Sequence, residues 1–197
     1  MEKEKDTFTY TYSAKQQEEI RNIRKKYSRK EGSRTMGLFK QGRRPAARLI
    51  VKAPVSGEVK PLASLNDGVF SEALLGPGCV IEPNEDELTA PFAGEVVMVA
   101  ATKHAIGLMS DEGVELMLHV GLDTVNLNGE GFQVEVQPKT HVRAGERLMR
   151  FSREQIQTAG YPDGVVVIVT NARLFKQVET LKEGMVKAQE DLLSVSK

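Results

Sequence analysis

Residues 102–125 read T-K-H-A-I-G-L-M-S-D-E-G-V-E-L-M-L-H-V-G-L-D-T-V. Apolar runs on both sides of the polar tetrapeptide S-D-E-G predict a β-hairpin with a four-residue turn. If Met109 pairs with Val114, the same register places His104 directly opposite His119. Residues that face each other across an antiparallel pair have Cβ atoms about 4.5–5.5 Å apart. We therefore expect two neighbouring imidazoles, close enough to hold one phosphate or one metal ion between them.

A neutral imidazole is a competent nucleophile toward phosphorus, because one ring nitrogen keeps a free lone pair at pH 7. His119 can play that part if a backbone carbonyl holds its other nitrogen as a donor, and the V-G dipeptide 120–121 lets the chain bend there. His104 can then donate a hydrogen bond to the transferred group. Thr102, two residues away, is placed to orient His104. Fixed donors of this kind stabilise phosphoryl transfer.

A metal site is the other use of such a pair, but a catalytic zinc normally needs three protein ligands. The remaining histidine, His141, lies in a P-K-T-H turn typical of the surface, and Cys79 lies in a G-C-V-I run typical of a buried strand. The sequence has no G-x-x-x-x-G-K-[ST] or G-x-G-x-x-G motif, which argues against nucleotide chemistry. We expect no metal and no cofactor.

The charge of the chain is unevenly divided. Residues 1–52 hold 15 Lys and Arg against 6 Asp and Glu, whereas residues 53–197 hold 12 against 21, so the formal charges are +9 and −9. We interpret residues 1–48 as a basic extension and linker and residues 49–197 as an acidic folded domain. A solvated tail is the simpler interpretation of the basic part. With one cysteine and no long apolar run, the sequence favours a soluble, cytoplasmic protein.

Within the extension, the T-F-T-Y-T-Y run at 7–12 alternates as a strand does, although six residues form no sheet alone. A helix is predicted over 14–30 that, with its narrow apolar stripe, would form only against a partner, so we expect the extension to be helical or disordered. Residues 31–48 have the composition of a linker. Inside it, M-G-L-F-K at 36–40 resembles a second translation start, so either Met36 is an alternative start or the first 35 residues are an added module.

From Leu49 onward, short apolar runs are interrupted by Gly, Pro, Asn and Asp every eight to twelve residues. This spacing predicts an all-β sandwich or barrel. A duplicated motif is also visible, because A-P-V-S-G-E-V at 53–59 recurs as A-P-F-A-G-E-V at 90–96, and V-R-A-G-E-R-L at 142–148 is echoed at 186–192. We expect a short helical turn at 172–177, and the same echo predicts a loop followed by a last strand near 192–195.

The run G-V-E-L-M-L-H-V-G-L-D-T-V at 113–125 is similar to the signature of the glucose-type enzyme IIA family of the bacterial sugar phosphotransferase system, and the resemblance covers nearly all of residues 50–197. It implies an antiparallel β-sandwich and the activity of a phosphotransferase component. His119 would be phosphorylated by phospho-HPr and would pass the phosphate to a cysteine in the IIB domain of a sugar permease. His104 would stabilise the phosphoryl group without being modified.

The resemblance also implies a shallow apolar docking face around the histidines. Val69 and Phe70 fall at matching positions, although ordinary core residues would look the same. Asp67 and Asp123 would lie on the rim of this face and pair with basic residues of the partner. The sequence departs from some relatives at Asn126, where they carry an acidic residue, and in its extension before Met36.

Other functions fit less well. A lipoyl or biotinyl carrier needs a lysine at a hairpin tip, where this chain has S-D-E-G, and a lysostaphin-like metallopeptidase needs an H-x-H pair that the sequence lacks. A regulatory protein whose partners recognise the phosphorylation state of His119 is the remaining alternative. The expected partners are HPr and the IIB and IIC components of a glucose-family permease, with no nucleic acid. Residues 1–48 are also a candidate for contact with acidic lipids.

Overall fold

The structure is a computed structural model that describes residues 48–65 and 67–197. The strand predicted at 7–12, the helix predicted over 14–30 and the start suggested at Met36 lie outside the described residues. Among the described helices, none is long and apolar enough to cross a membrane.

The described residues form fourteen strands and one short α-helix. The strands are β1 Arg48–Lys52, β2 Gly57–Pro61, β3 Gly78–Pro83, β4 Glu87–Thr89, β5 Gly94–Val99, β6 Ala105–Ser110, β7 Glu115–Val120, β8 Phe132–Val134, β9 His141–Val142, β10 Arg147–Phe151, β11 Val165–Val169, β12 Gln177–Thr180, β13 Gly184–Val186 and β14 Asp191–Ser196. The α-helix, α1, is Arg153–Thr158, and single 3-10 turns occur at Leu62–Leu65, Thr124–Leu127 and Ala172–Leu174.

The strands form one large sheet and two small ones, all with antiparallel pairing. The large sheet has the order β13-β2-β3-β11-β7-β6-β5-β9, and the small sheets have the orders β1-β14-β12 and β4-β10-β8. The predicted all-β antiparallel class is confirmed. The turn at Ala172–Leu174 and the last strand, β14, agree with the sequence analysis, but β12 and β13 lie in the stretch that we predicted to be a loop.

Both faces of the large sheet are covered near its centre. On β11, Val165, Val167 and Val169 point into the main core, while Val166 and Ile168 point to the opposite side. There they join a second apolar group, the outer-face cluster, which consists of Leu62, Val69, Phe70, Leu75, Val80, Met117, Val166 and Ile168. Burial on both faces explains why β7 and β11 are apolar runs rather than alternating ones.

The duplicated motif is visible in the backbone bonds. Ala53 exchanges two hydrogen bonds of 2.8 Å with residues 189–190, and Ala90 exchanges two of 2.8 Å with residues 145–146. The two echoed pairs of segments are therefore joined in the same way. The A-P-x-x-G repeats and the later echoes are one structural unit used twice.

The glycines that end the two A-P-x-x-G repeats have the same steric role. A Cβ atom at Gly57 would lie 2.1 Å from the carbonyl oxygen of Glu82, and one at Gly94 would lie 2.1 Å from that of Met109. Only glycine allows the strands to approach so closely.

The sequence analysis missed helix α1, although a signal was present. Ser152 and Gln155 have the S-x-x-Q spacing of a capping box, and the Ser152 hydroxyl accepts a hydrogen bond of 3.2 Å from the Gln155 backbone N–H.

Candidate functional site

The hairpin of β6 and β7 forms the centre of the site, but its register differs from the predicted one. Ala105, not His104, is opposite His119, and Met109 is opposite Glu115. The prediction that the two histidines are directly paired is therefore wrong by one residue. The physical reason is the turn, in which Gly113 adopts a φ of 89° and closes a three-residue loop instead of a four-residue one.

The two histidines are nevertheless adjacent, because the chain bends just before β6. Lys103 has a φ of 62°, and the carbonyl of His104 accepts a hydrogen bond of 2.8 Å from the backbone N–H of Val120. The rings of His104 and His119 lie with their centroids 4.6 Å apart at an interplanar angle of 77°. Regular strand alternation would have put His104 on the opposite face, and the bend brings it to His119.

His104 is completely buried, and its orientation is fixed by Thr102. The Thr102 hydroxyl oxygen lies 2.8 Å from Nδ1 of His104. If this hydroxyl donates to Nδ1, the proton of the neutral ring is on Nε2, which becomes the donor. The pair can therefore present an N–H to a group bound beside His119.

His119 lies at the end of β7 and is partly exposed. Its Nδ1 atom is buried, which leaves Nε2 as the nitrogen available to a phosphoryl donor. Burial, followed by the neighbouring His104, lowers the pKa of His119 well below its ordinary value of 6.5, while a hydrogen bond with the Gly121 backbone acts in the opposite direction. That bond is weak, because Nδ1 has no hydrogen-bond partner of normal geometry among the described residues. The imidazole is neutral at pH 7 and therefore nucleophilic.

The lowered pKa of His119 predicts a pH-dependent stability. Because the unfolded chain takes up a proton at this ring near pH 6.5 and the folded protein does not, the free energy of unfolding should fall as the pH drops below about 6.5, by at most about 1.4 kcal/mol per pH unit, until the folded pKa is reached. Urea unfolding between about pH 7.5 and about pH 5.5 measures this. A His119→Gln variant, which cannot titrate, should lose less stability over that range, and equal losses in both proteins would contradict the prediction.

The outer-face cluster adjoins His119. The ring centroid of Phe70 is 5.1 Å from that of His119, with the rings edge to face, and Val166 on β11 is directly opposite His119. Val69 is 6% exposed and Phe70 is 8% exposed, so both belong to a packed cluster whose edge contacts the imidazole. The apolar surroundings limit the access of water to the ring.

Asp67 does not occupy the exposed rim that the sequence analysis gave it. It is buried, and its carboxylate accepts backbone hydrogen bonds from Val69 at 3.3 Å, Phe70 at 3.2 Å and Ser71 at 2.9 Å. An Asp that accepts several N–H groups of the residues after it stabilises a turn. The carboxylate is thus part of the loop that places Phe70 against His119.

Replacing Asp67 should therefore loosen this loop. We expect Asp67→Ala to lower the free energy of unfolding by about 1–3 kcal/mol, because three backbone N–H groups lose their acceptor. Asp67→Asn keeps one acceptor oxygen and should lose less. Chemical denaturation measures the stability, and NMR contacts between the rings of Phe70 and His119 report on the loop. A stable Asp67→Ala protein with these contacts intact would contradict the assignment.

Asp123 is partly exposed. It adopts a left-handed conformation with a φ of 60° at the start of the 3-10 turn Thr124–Leu127, and burial raises the pKa of its carboxyl group.

The other histidine and the cysteine considered as metal ligands lie away from the His104–His119 pair. Cys79 is buried in the core, where burial raises the pKa of its thiol to about 12, and His141 is exposed on β9, three strands from β7. The described residues contain no group of three or more ligands that could hold a metal ion.

Two parts of the site were missed at the sequence level. The first is Thr124, which lies in the run at 113–125. Its buried hydroxyl donates a hydrogen bond of 2.6 Å to the Val120 carbonyl. The loop at 162–164 accepts hydrogen bonds from the backbone of Gly121 and Leu122. For this loop the sequence carries no local signal, because the contact depends on the pairing of β7 with β11.

Comparisons with known proteins agree with this geometry. A model of the family described as phosphoenolpyruvate-dependent sugar phosphotransferase system, EIIA 1, matches residues 49–175. The PTS system beta-glucoside-specific EIIBCA component of Bacillus subtilis (strain 168) is 42% identical over 150 residues, which are 76% of this chain and 25% of that protein. The chain thus spans about a quarter of the length of this relative.

The fold has a counterpart among solved structures. The glucose permease IIA from Mycoplasma capricolum superposes with a TM-score of 0.67 at 32% sequence identity, and the match covers 81% of this chain and 99% of the other. The family match, the relative and the structural counterpart all concern the part of the chain that carries the histidine pair. The chain therefore belongs to the EIIA 1 family of the phosphoenolpyruvate-dependent sugar phosphotransferase system.

Proposed function

We propose that His119 accepts a phosphoryl group from phospho-HPr and passes it to the IIB domain of a sugar permease, in the cytoplasm. The single observation that supports this most strongly is the edge-to-face pair of His104 and His119, 4.6 Å apart beside an apolar cluster. A neutral, partly exposed imidazole with a buried donor next to it is suited to reversible phosphoryl transfer. The family assignment favours this role over a purely regulatory one.

In the proposed step, the lone pair on Nε2 of His119 attacks phosphorus while the bond between phosphorus and the donor atom of HPr breaks. No proton has to leave Nε2, because the proton of the neutral ring is on Nδ1. His104, oriented by Thr102, donates a hydrogen bond to an oxygen of the phosphoryl group, whose negative charge needs a donor where water is largely excluded. The same groups act in reverse order when the acceptor attacks.

The partners follow from the face around His119. Val69 and Phe70, in the packed cluster beside the imidazole, would supply its apolar part, and the partly exposed Asp123, four residues after His119, would pair with a cationic group of HPr or IIB. The relative from Bacillus subtilis joins A, B and C components in one protein and is named beta-glucoside-specific. We accordingly propose a permease of the glucose and β-glucoside family as the acceptor.

The test is phosphate transfer with purified components. The chain is incubated with enzyme I, HPr and labelled phosphoenolpyruvate, and the IIB domain of the relative is then added. We expect an acid-labile, alkali-stable label on this chain that moves to IIB. A chain that takes no label, or keeps it when a competent IIB domain is present, would overturn the proposal.

The basic extension supports a separate proposal, that residues 1–48 contact acidic lipids near the permease. Their excess of Lys and Arg over Asp and Glu is the basis for it, because cationic segments bind anionic headgroups. Sedimentation with phosphatidylserine vesicles should deplete the full chain more than a chain that begins at Leu49. Equal depletion of the two proteins would contradict this contact.

A further inference from the structure

The loop after β7 is held by a buried side chain that has no assigned role in phosphate transfer. Thr124 has no exposed surface, and its hydroxyl donates a hydrogen bond of 2.6 Å to the carbonyl oxygen of Val120. Val120 is the last residue of β7 and directly follows His119. The hydroxyl thus fixes the backbone where the strand turns away from the sheet.

Gly121 is confined between Thr124 and a second loop. Its φ is +74°, and a Cβ atom on it would lie 2.3 Å from Cγ2 of Thr124. Its N–H donates to the carbonyl of Gly164 at 2.9 Å, and the N–H of Leu122 donates to that of Pro162 at 3.0 Å. Both N–H groups of this turn are therefore occupied, and the turn is set by bonds from both sides.

The position of this turn matters because it directly follows His119. Nδ1 of His119 is buried and makes no hydrogen bond of normal geometry among the described residues, and the Gly121 backbone is the polar group that raises the pKa of the ring. A carbonyl at this place stabilises the tautomer with a proton on Nδ1, which leaves the lone pair on Nε2 for attack on phosphorus. A ring with the opposite tautomer would present an N–H to the phosphoryl donor and could not react.

We infer that Thr124 is a positioning residue for phosphoryl transfer, because its bond to the Val120 carbonyl fixes the turn directly after His119, whose Nδ1 is buried, and so favours the reactive tautomer. This inference rests on the proposed role of His119 as the phosphate acceptor. It assigns the effect to the hydroxyl of Thr124 and not to its shape, so the two can be separated by substitution.

The matched variants are Thr124→Val, which keeps the shape and removes the donor, and Thr124→Ser, which keeps the donor. Nitrogen NMR shifts of the His119 ring report the tautomer in the unphosphorylated protein. We expect the Nδ1–H tautomer in the wild type and in Thr124→Ser, and a mixture of tautomers in Thr124→Val. The rate of phosphate acceptance by Thr124→Val should fall about 10- to 100-fold, as is typical when the group that orients a reactive histidine is lost.

A loss of stability alone must not be mistaken for this effect. Val195→Ala shortens a buried side chain of β14, in a different sheet, and serves as a destabilised control that should keep the wild-type tautomer. If Thr124→Val does not fold, Thr124→Cys keeps a weaker donor and should show a smaller shift toward the other tautomer. A Thr124→Val or Thr124→Cys protein with the wild-type tautomer would overturn the inference.

The tautomer measurement needs no phosphate, so the two proposals can fail separately. If the wild type takes no label at His119, the proposed function fails whatever the tautomer. If the wild type is labelled and Thr124→Val is labelled at the same rate, the proposed function stands and the role of Thr124 is refuted.

Discussion

A His119→Ala variant should accept no phosphate from phospho-HPr, with the label falling to background. The substitution removes the nitrogen that forms the bond to phosphorus, and the neighbouring His104 cannot replace it, because the Thr102 hydroxyl at its Nδ1 leaves the proton on Nε2, which then has no lone pair for attack. Loss of a nucleophile in covalent catalysis removes the pathway rather than slowing it. The measurement is the incorporation of label from phosphoenolpyruvate in the presence of enzyme I and HPr.

The controls for this variant are available in the same chain. His141→Ala removes an exposed imidazole on β9, three strands from β7, and should leave labelling unchanged. Because the His119 ring packs on Phe70 and His104, the fold of the variant should be checked by thermal unfolding, and His119→Gln fills more of the space. Acid-labile label on a folded His119→Ala protein would refute the assignment of the phosphorylated residue.

Local sequence patterns predicted that β6 and β7 pair as a hairpin, but they did not predict the register of that pair. A turn of four residues and a turn of three both fit S-D-E-G, and the choice depends on the left-handed conformation of Gly113. A shift of one residue should have moved His104 to the opposite face. It did not, because the bend at Lys103 and His104 compensates, and the sequence contains no signal that reports this bend.

The role of Asp67 shows a second limit. An aspartate before a glycine in a loop near the site looks equally like a rim charge and a turn-forming residue, and the two differ only in where the carboxylate points. Packing decided the question, because the loop lies on the outer-face cluster and buries the carboxylate among its own backbone N–H groups.

Contacts between segments that are distant in sequence could not be predicted, for a different reason. The bonds from Gly121 and Leu122 to the loop at 162–164 exist only because β11 lies beside β7. No local pattern in the sequence predicts that pairing. The duplicated motif could be recognised from the sequence, because both copies need a glycine where a neighbouring carbonyl approaches closely, at Gly57 and at Gly94.

The second large effect is expected at His104, and it should separate the two halves of the transfer. A His104→Gln variant should still accept phosphate at a rate within a few-fold of the wild type, because the amide N–H of glutamine can donate to the phosphoryl oxygens in place of Nε2–H. Onward transfer to IIB should fall by about 10²–10³-fold, the usual cost of a weakened donor to a developing charge.

The design distinguishes this role from simple packing. His104→Ala removes the donor entirely and should slow acceptance as well as onward transfer, whereas Thr102→Val removes only the group 2.8 Å from Nδ1 of His104 and should weaken onward transfer less than His104→Gln does. Single-turnover transfer, from phospho-HPr to the chain and from the labelled chain to IIB, measures the two steps independently. Equal effects of His104→Gln on both steps would mean that the second histidine only fills space beside His119. The predicted asymmetry requires it to act on the phosphoryl group itself, as the 4.6 Å separation of the two rings allows.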